Sequence, residues 1–307
     1  MKIIIGSRGS KLALWQAGWV RERLVTAGFE VEIQVIKTTG DKLANVALTQ
    51  SGTKGLFIKE IEEALAAGEI DLAVHSLKDL PTAQPEGLHV AAVPAREDAR
   101  DVLVSRHHTR LVELRAGARV GTSSLRRQSQ LRALRPDLQI MPVRGNIDTR
   151  LRKLQQGEYD ALVLAAAGVR RLGLAEAITE YFDCRQMCPA VGQGALALEV
   201  RRGDERMDRA IRPLDDAPTH QAVLAERATL QRLGGGCQTP TGAYAAAAED
   251  GSLRLLGMVA SVDGTTVIRA SAIGRADDPH SLGTRVAGEL LERGAREVLA
   301  RDLGIGK

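Results

Sequence analysis

Aromatic residues make up only 3% of this 307-residue chain, with two Trp, three Tyr and three Phe. So few rings leave the cores to Leu, Val, Ile and Ala, and they offer little for nucleic-acid bases to stack on. Long apolar runs are missing too, since no stretch approaches the roughly 20 residues of a membrane-spanning helix. The opening MKIIIGSRGS lacks the apolar core and small-residue cleavage site of a signal peptide. It reads as a short strand entering a glycine turn, and the cytoplasm is the expected compartment. Cysteine is scarce and odd in number. Cys184, Cys188 and Cys237 are expected to be reduced thiols, not a disulfide framework. No second Cys or His pair joins Cys184 and Cys188 to complete a zinc set, and the six His are scattered, so no metal is expected.

What is present is ordinary for a folded, water-soluble chain: 44% hydrophobic and 26% charged residues. The length exceeds one small core and predicts two or three domains. Net charge is only +4, but it is unevenly placed. Asp101–Arg150 holds ten Arg and no Lys against four Asp or Glu, a surplus of +6 in fifty residues. A surplus larger than that of the whole chain implies an anionic partner.

Strand and helix patterns alternate through the first half. Strands are expected at 2–7, 31–37 and 71–75, and helices at 12–27, capped by Ser10, and at 57–67. The pattern restarts after Arg100, with strands at 102–105, 120–121, 138–143 and 161–165 and helices at 125–134 and 149–156. A strand at 195–200 is expected to return to the first lobe. This β-α-β order predicts α/β lobes with mixed, mostly parallel sheets. From about Thr219 the character changes to a helix at 221–233, then strands at 243–248, 253–259 and 266–273. Asp250-Gly251 and Asp263-Gly264 mark hairpins between those strands, and one helix is expected over 281–301. This is a small α+β domain with a three-stranded antiparallel sheet.

Three strand-exit turns carry Arg, Gly and a hydroxyl or amide group: Ser7-Arg8-Gly9-Ser10, Gly121-Thr122-Ser123-Ser124-Leu125-Arg126-Arg127, and Arg144-Gly145-Asn146-Ile147-Asp148-Thr149-Arg150. Helix N-termini attract anions and guanidiniums fork carboxylates, and open α/β sheets bind ligands at the carboxyl ends of their strands. A capped helix with solvated arginines would carry the same residues. A fourth exit, His75-Ser76-Leu77-Lys78-Asp79-Leu80-Pro81, places an acid beside a base, suited to steadying a cation or moving a proton. A surface Lys-Asp turn before proline is the plain alternative. Cys237, after three glycines, is either a small core residue or a thiol presented on a turn. Ser51-Gly52-Thr53-Lys54-Gly55 lacks the spacing of a Walker loop. Gly192-Gln193-Gly194 leads into a strand, the reverse of a dinucleotide fingerprint.

These segments together resemble the porphobilinogen deaminase family over nearly the whole chain. The resemblance rests on SRGSKLALWQA, TKGLFIKEIEEAL, DLAVHSLKDLP, REDARDVLVS, VGTSSLRRQSQL, VRGNIDTRLRKL, LAAAGVRRLGL, PAVGQGALALE and GGGCQTPTGA. It implies an enzyme that joins four porphobilinogen molecules head to tail, with loss of ammonia, on a cysteine-linked dipyrromethane cofactor. The linear tetrapyrrole hydroxymethylbilane is then hydrolysed off and passed to uroporphyrinogen-III synthase. The implied fold is two lobes like those of periplasmic binding proteins, residues 1–98 with 195–214 and residues 99–194, plus a cofactor-carrying domain at 215–307.

By the same resemblance Cys237 carries the cofactor through a thioether. Asp79 is the catalytic carboxylate, helped by Lys78 and Arg8. Ser76, Lys78, Asp79, Thr122, Ser123, Ser124, Arg126, Arg127, Arg144 and Gly145 contact the cofactor. Arg8, Ser10, Arg144, Arg150, Arg171 and Gln193 hold the substrate. Lys54 and Lys59 match a mobile loop over the cleft. The chain departs from the family pattern at Lys11, where proline is usual, and at Gly234, where an acid is common. A monomer without nucleic-acid or membrane partners is implied. The rival reading is a non-catalytic two-lobed binding protein for a small polyanion, which gives Asp79 and Cys237 no task.

Overall fold

The computed structural model describes residues 2–39, 58–234 and 239–303. Along the chain come β1 (Lys2–Ser7), α1 (Lys11–Thr26), β2 (Glu30–Val35), α2 (Lys59–Ala66), β3 (Leu72–Ser76) and β4 (Leu88–Ala92). They are followed by β5 (Asp101–Ser105), β6 (Arg119–Gly121), α3 (Leu125–Leu134), β7 (Gln139–Met141), α4 (Ile147–Gln155), β8 (Ala161–Ala165), α5 (Ala166–Arg171) and β9 (Glu180–Tyr181). The rest is β10 (Leu196–Arg201), α6 (Glu205–Ile211), α7 (Ala217–Arg232), β11 (Thr241–Ala247), β12 (Ser252–Ala260), β13 (Val267–Arg275), α8 (Pro279–Glu292) and α9 (Ala295–Leu303). The chain gathers into two compact units, residues 1–97 with 195–220 and residues 98–194 with 221–307.

The first unit is built on a sheet of order β2-β1-β3-β10-β4. β1 runs parallel to β2 and β3, and the returning β10 runs antiparallel to β3 and β4. Ile3 and Ile5 pack with Ala17, Val20 and Leu24 of α1 on one face. Ile61 and Leu65 of α2 pack with Ile70 and Leu88. Covering both faces explains why β3 reads as a continuous apolar run and not as an alternation. Ser10 caps α1 by accepting the Ala13 amide, the bond expected from the sequence. β4 was not foreseen, because LHVAA is short and lies among Pro and Gly.

The second unit holds a sheet of order β7-β6-β8-β5-β9 and a separate antiparallel sheet β11-β12-β13. β6 is parallel to β7 and β8, while β5 is antiparallel to β8 and β9. Parallel and antiparallel pairs are mixed in both large sheets. The small sheet is covered by α8 and α9, whose Val286, Leu290 and Leu299 pack on Leu253 and Leu255. The helix expected over 281–301 is instead two helices, because Gly294 takes φ 93° and its amide turns back to the Leu291 carbonyl, ending α8. That left-handed position suits glycine and stops the i to i−4 ladder. α5 was not expected either, since AAGVRR is too short to show a helical period. No helix among the described residues is long and apolar enough to cross a membrane.

Candidate active site

In the first unit two of the expected turns share one sheet edge. β1 and β3 are parallel neighbours, so Arg8 and Ser10 after β1 leave from the same edge as Ser76, Lys78 and Asp79 after β3. The fully packed Gln16 of α1 ties these exits together, donating to Ser76 Oγ at 2.9 Å. Leu77–Asp79 forms a single 3-10 turn. Both ends of this turn are anchored. Leu77 and Leu80 are buried, and the Leu77 amide donates to the Ala195 carbonyl at 3.0 Å. Asp79 therefore projects outward from a fixed backbone, and its carboxylate is exposed with no side-chain partner among the described residues. Arg8 and Lys78 are half-buried. Beneath the turn, buried His75 meets Glu199 at 3.1 Å, and burial followed by the nearby Glu199 charge raises the Glu62 carboxyl above its usual range.

In the second unit the carboxyl ends of β6, β7 and β8 share an edge, and the antiparallel β5 brings its first residue, Asp101, opposite Ala165 at that edge. Asp101 is completely buried. Arg126 Nη1 donates to its Oδ2 at 2.6 Å, and Arg127 Nε and Nη2 donate to its Oδ1 at 2.9 and 2.7 Å. Gln193 Nε2 adds a bond to Oδ1 at 2.9 Å while its own Oε1 accepts from Arg127 at 3.3 Å. The two guanidiniums outweigh the desolvation of this carboxylate and hold it well below the usual range. Asp101 was not singled out from the sequence.

The neighbouring turns complete this edge. Ser123 Oγ donates to the Val143 carbonyl at 2.8 Å and accepts the Val143 amide at 3.0 Å, joining the β6 and β7 exits. Thr122 is buried and accepts the Ser124 amide through Oγ1, and Ser124 is the N-cap residue of α3. Arg150 Nε donates to the Gly145 carbonyl at 2.8 Å. Burial, and then the charge of Arg127, push its guanidinium down to about 10. No acidic side chain among the described residues pairs with it. Arg144 is exposed at the start of this turn, and Arg171 is buried, donating to the Gly194 carbonyl at 2.8 Å.

Among Asp101, Arg126, Arg127 and Arg150 alone, three guanidiniums stand against one carboxylate, a surplus of two positive charges partly shielded from water. Such a donor set fits a group bearing several carboxylates, as a dipyrromethane does. Cys237 and Lys54 lie outside the described residues. Lys59 starts α2, exposed, 3.6 Å from Glu63. Among the described residues no cluster of His, Cys, Asp and Glu could hold a metal ion.

Comparison with known proteins covers almost the whole chain. The family model described as porphobilinogen deaminase, dipyromethane cofactor binding domain, matches residues 3–209, and its C-terminal domain model matches residues 220–292. The porphobilinogen deaminase of Desulforudis audaxviator is 54% identical over 302 residues, covering 98% of this chain and 97% of that protein. That of Syntrophobacter fumaroxidans is 51% identical over 299 residues, with 97% and 96% covered. Among solved structures, a periplasmic substrate-binding protein of an ABC transporter from Coxiella burnetii matches at 15% identity and TM-score 0.42, over 69% of this chain and 91% of that one.

Proposed function

The chain belongs to the porphobilinogen deaminase family, enzymes of tetrapyrrole synthesis with a dipyrromethane cofactor, and from that premise we propose how its residues divide the work. Cys237 is the attachment point of the dipyrromethane. When bound, that group would supply the free pyrrole carbon at which the first new carbon–carbon bond forms, each later bond forming on the ring added before it. The arginines of the second unit receive the acetate and propionate side chains, and the observation that carries this reading is Arg150. A largely desolvated guanidinium with no acid partner among the described residues has open donors for an incoming carboxylate. Arg126 and Arg127 add charge from below, held in place by Asp101. Thr122, Ser123, Ser124, Gly145 and Arg144 line the same sheet edge, and Arg171 and Gln193 support it.

Asp79 is the acid that faces the substrate pyrrole. Its rigid turn fixes the carboxylate where it can accept a pyrrole N–H and offset the positive charge that develops as ammonia leaves. Lys78 and Arg8 lie in the adjoining exits and are proposed to hold substrate carboxylates, with Ser10 and Ser76. Lys54 and Lys59 are proposed to help enclose the bound substrate. The reading also includes a cytoplasmic monomer that hands its linear product to uroporphyrinogen-III synthase, and it rests there on family membership alone.

Asp79→Asn tests this assignment. The variant should fold normally and carry the same added mass of cofactor once loaded, while kcat for porphobilinogen falls at least about a hundredfold, as expected for loss of charge stabilisation at the reacting centre. A rate near that of the parent would remove Asp79 from the chemistry.

A further inference from the structure

Gly242 of β11 lies against the peptide of Cys188 and Pro189, within the second unit. A Cβ built on Gly242 would stand 2.7 Å from the Pro189 carbonyl oxygen and 3.0 Å from both the carbonyl oxygen and the Sγ of Cys188. Carbonyl oxygens cannot swing aside as a side chain can. The Cys188 peptide is also gripped from its other side. Arg126 Nη1 donates to its carbonyl at 2.6 Å, Gln130 Nε2 donates to the same oxygen at 3.2 Å, and its amide donates to Gln130 Oε1 at 2.7 Å. Gln130, itself fully buried, bonds back to the Arg126 carbonyl at 3.1 Å. Met258, the cross-strand partner of Gly242, and Ala260 pack on Cys188 as well.

A methyl group at 242 must therefore displace either β11 or the clamped peptide, and that peptide holds Arg126. β11 starts at Thr241, four residues after Cys237. We propose that Gly242 is a positioning residue: its missing side chain lets β11 seat on the Cys188–Pro189 peptide and so sets the spacing between the Arg126 guanidinium and the strand that follows Cys237 in the chain. This rests on the proposed attachment of the cofactor at Cys237.

The test compares Gly242→Ala with Gly257→Ala. Gly257 belongs to the same small sheet, but a methyl there would meet side-chain methyls of Val286 and Leu290, at 2.8 and 2.9 Å, on the helix-covered face, and no backbone carbonyl. Each variant is purified and its intact mass, melting temperature, kcat and KM are measured. Gly242→Ala should show a smaller fraction of chains bearing the added dipyrrole, and the loaded fraction should lose kcat by on the order of tenfold to a hundredfold, the effect of a displacement near 1 Å. Gly257→Ala should melt lower yet load fully and keep kcat within about twofold, because its packing strain stays in the helix-covered core. Full loading and parent kcat in Gly242→Ala overturn the proposal, and so does an equal loading loss in Gly257→Ala at the same drop in melting temperature. If Gly242→Ala yields no soluble protein, Gln130→Met removes two of the three bonds that grip the Cys188 peptide at similar volume, and it must reduce loading or the proposal fails. A parent protein with the mass of the bare chain would remove the premise about Cys237 and this proposal with it, whereas a loaded parent beside a Gly242→Ala variant with full loading and parent kcat removes the proposal alone.

Discussion

Asp101 opens a strand whose next residues are Val102, Leu103 and Val104, and it spends its charge inside the protein. Two guanidiniums and one amide surround it, and all three of those side chains are buried. Removing one partner from such a buried set leaves the others uncompensated. Asp101→Asn should therefore cost about 3–5 kcal/mol of stability at neutral pH, measured by denaturant unfolding. The sign with pH follows from the lowered acidity of the native state. The native carboxyl titrates below its unfolded value of about 3.9, so its contribution is whole above that pH and is lost as pH falls through the native value. The gap between parent and variant should stay constant from neutral pH down to about 5 and close only in stronger acid. Nothing local marks this residue in the sequence. DVLVS reads as a strand, and only the antiparallel return of β5 beside β8 carries its first residue to the arginine edge. Arg126 and Arg127, by contrast, stood out at once as a pair beside a hydroxyl-rich turn.

At the scale of elements, the strand exits were legible because their residues obey local rules. Ser10 caps α1 as a serine before an apolar periodic run should, and Gly145 sits where the chain takes φ 104°. That glycine also has no room to grow, for a Cβ would stand 2.7 Å from Thr149 Cγ2. Gly145→Ala should cost about 1–3 kcal/mol of stability through strain. It should also shift Arg150, which bonds the Gly145 carbonyl, so KM for porphobilinogen should rise more than kcat falls in steady-state assays. An unchanged KM would separate Arg150 from substrate binding. The split of the C-terminal helix was illegible by period alone. Apolar spacing runs on through α9, and only the left-handed Gly294 interrupts it.

For the whole molecule, the positive surplus of residues 101–150 predicted an anionic partner, and the structure puts Arg126, Arg127, Arg144 and Arg150 of that segment along one edge of one sheet. The same segment also spends arginines elsewhere. Arg135 pairs with Asp137 and Arg119 with Asp160, so composition overstated how much charge faces a ligand. Net charge counts residues; the fold decides which remain unpaired. A passive polyanion receptor would use the Arg150 edge equally well, but it would need neither an outward Asp79 on an anchored turn nor a tethering thiol. Intact-mass measurement of the purified protein separates the two directly. The expected result is a chain heavier by one dipyrrole, with the excess abolished in Cys237→Ser; the mass of the bare polypeptide, from protein that turns over no porphobilinogen, is the contradicting one.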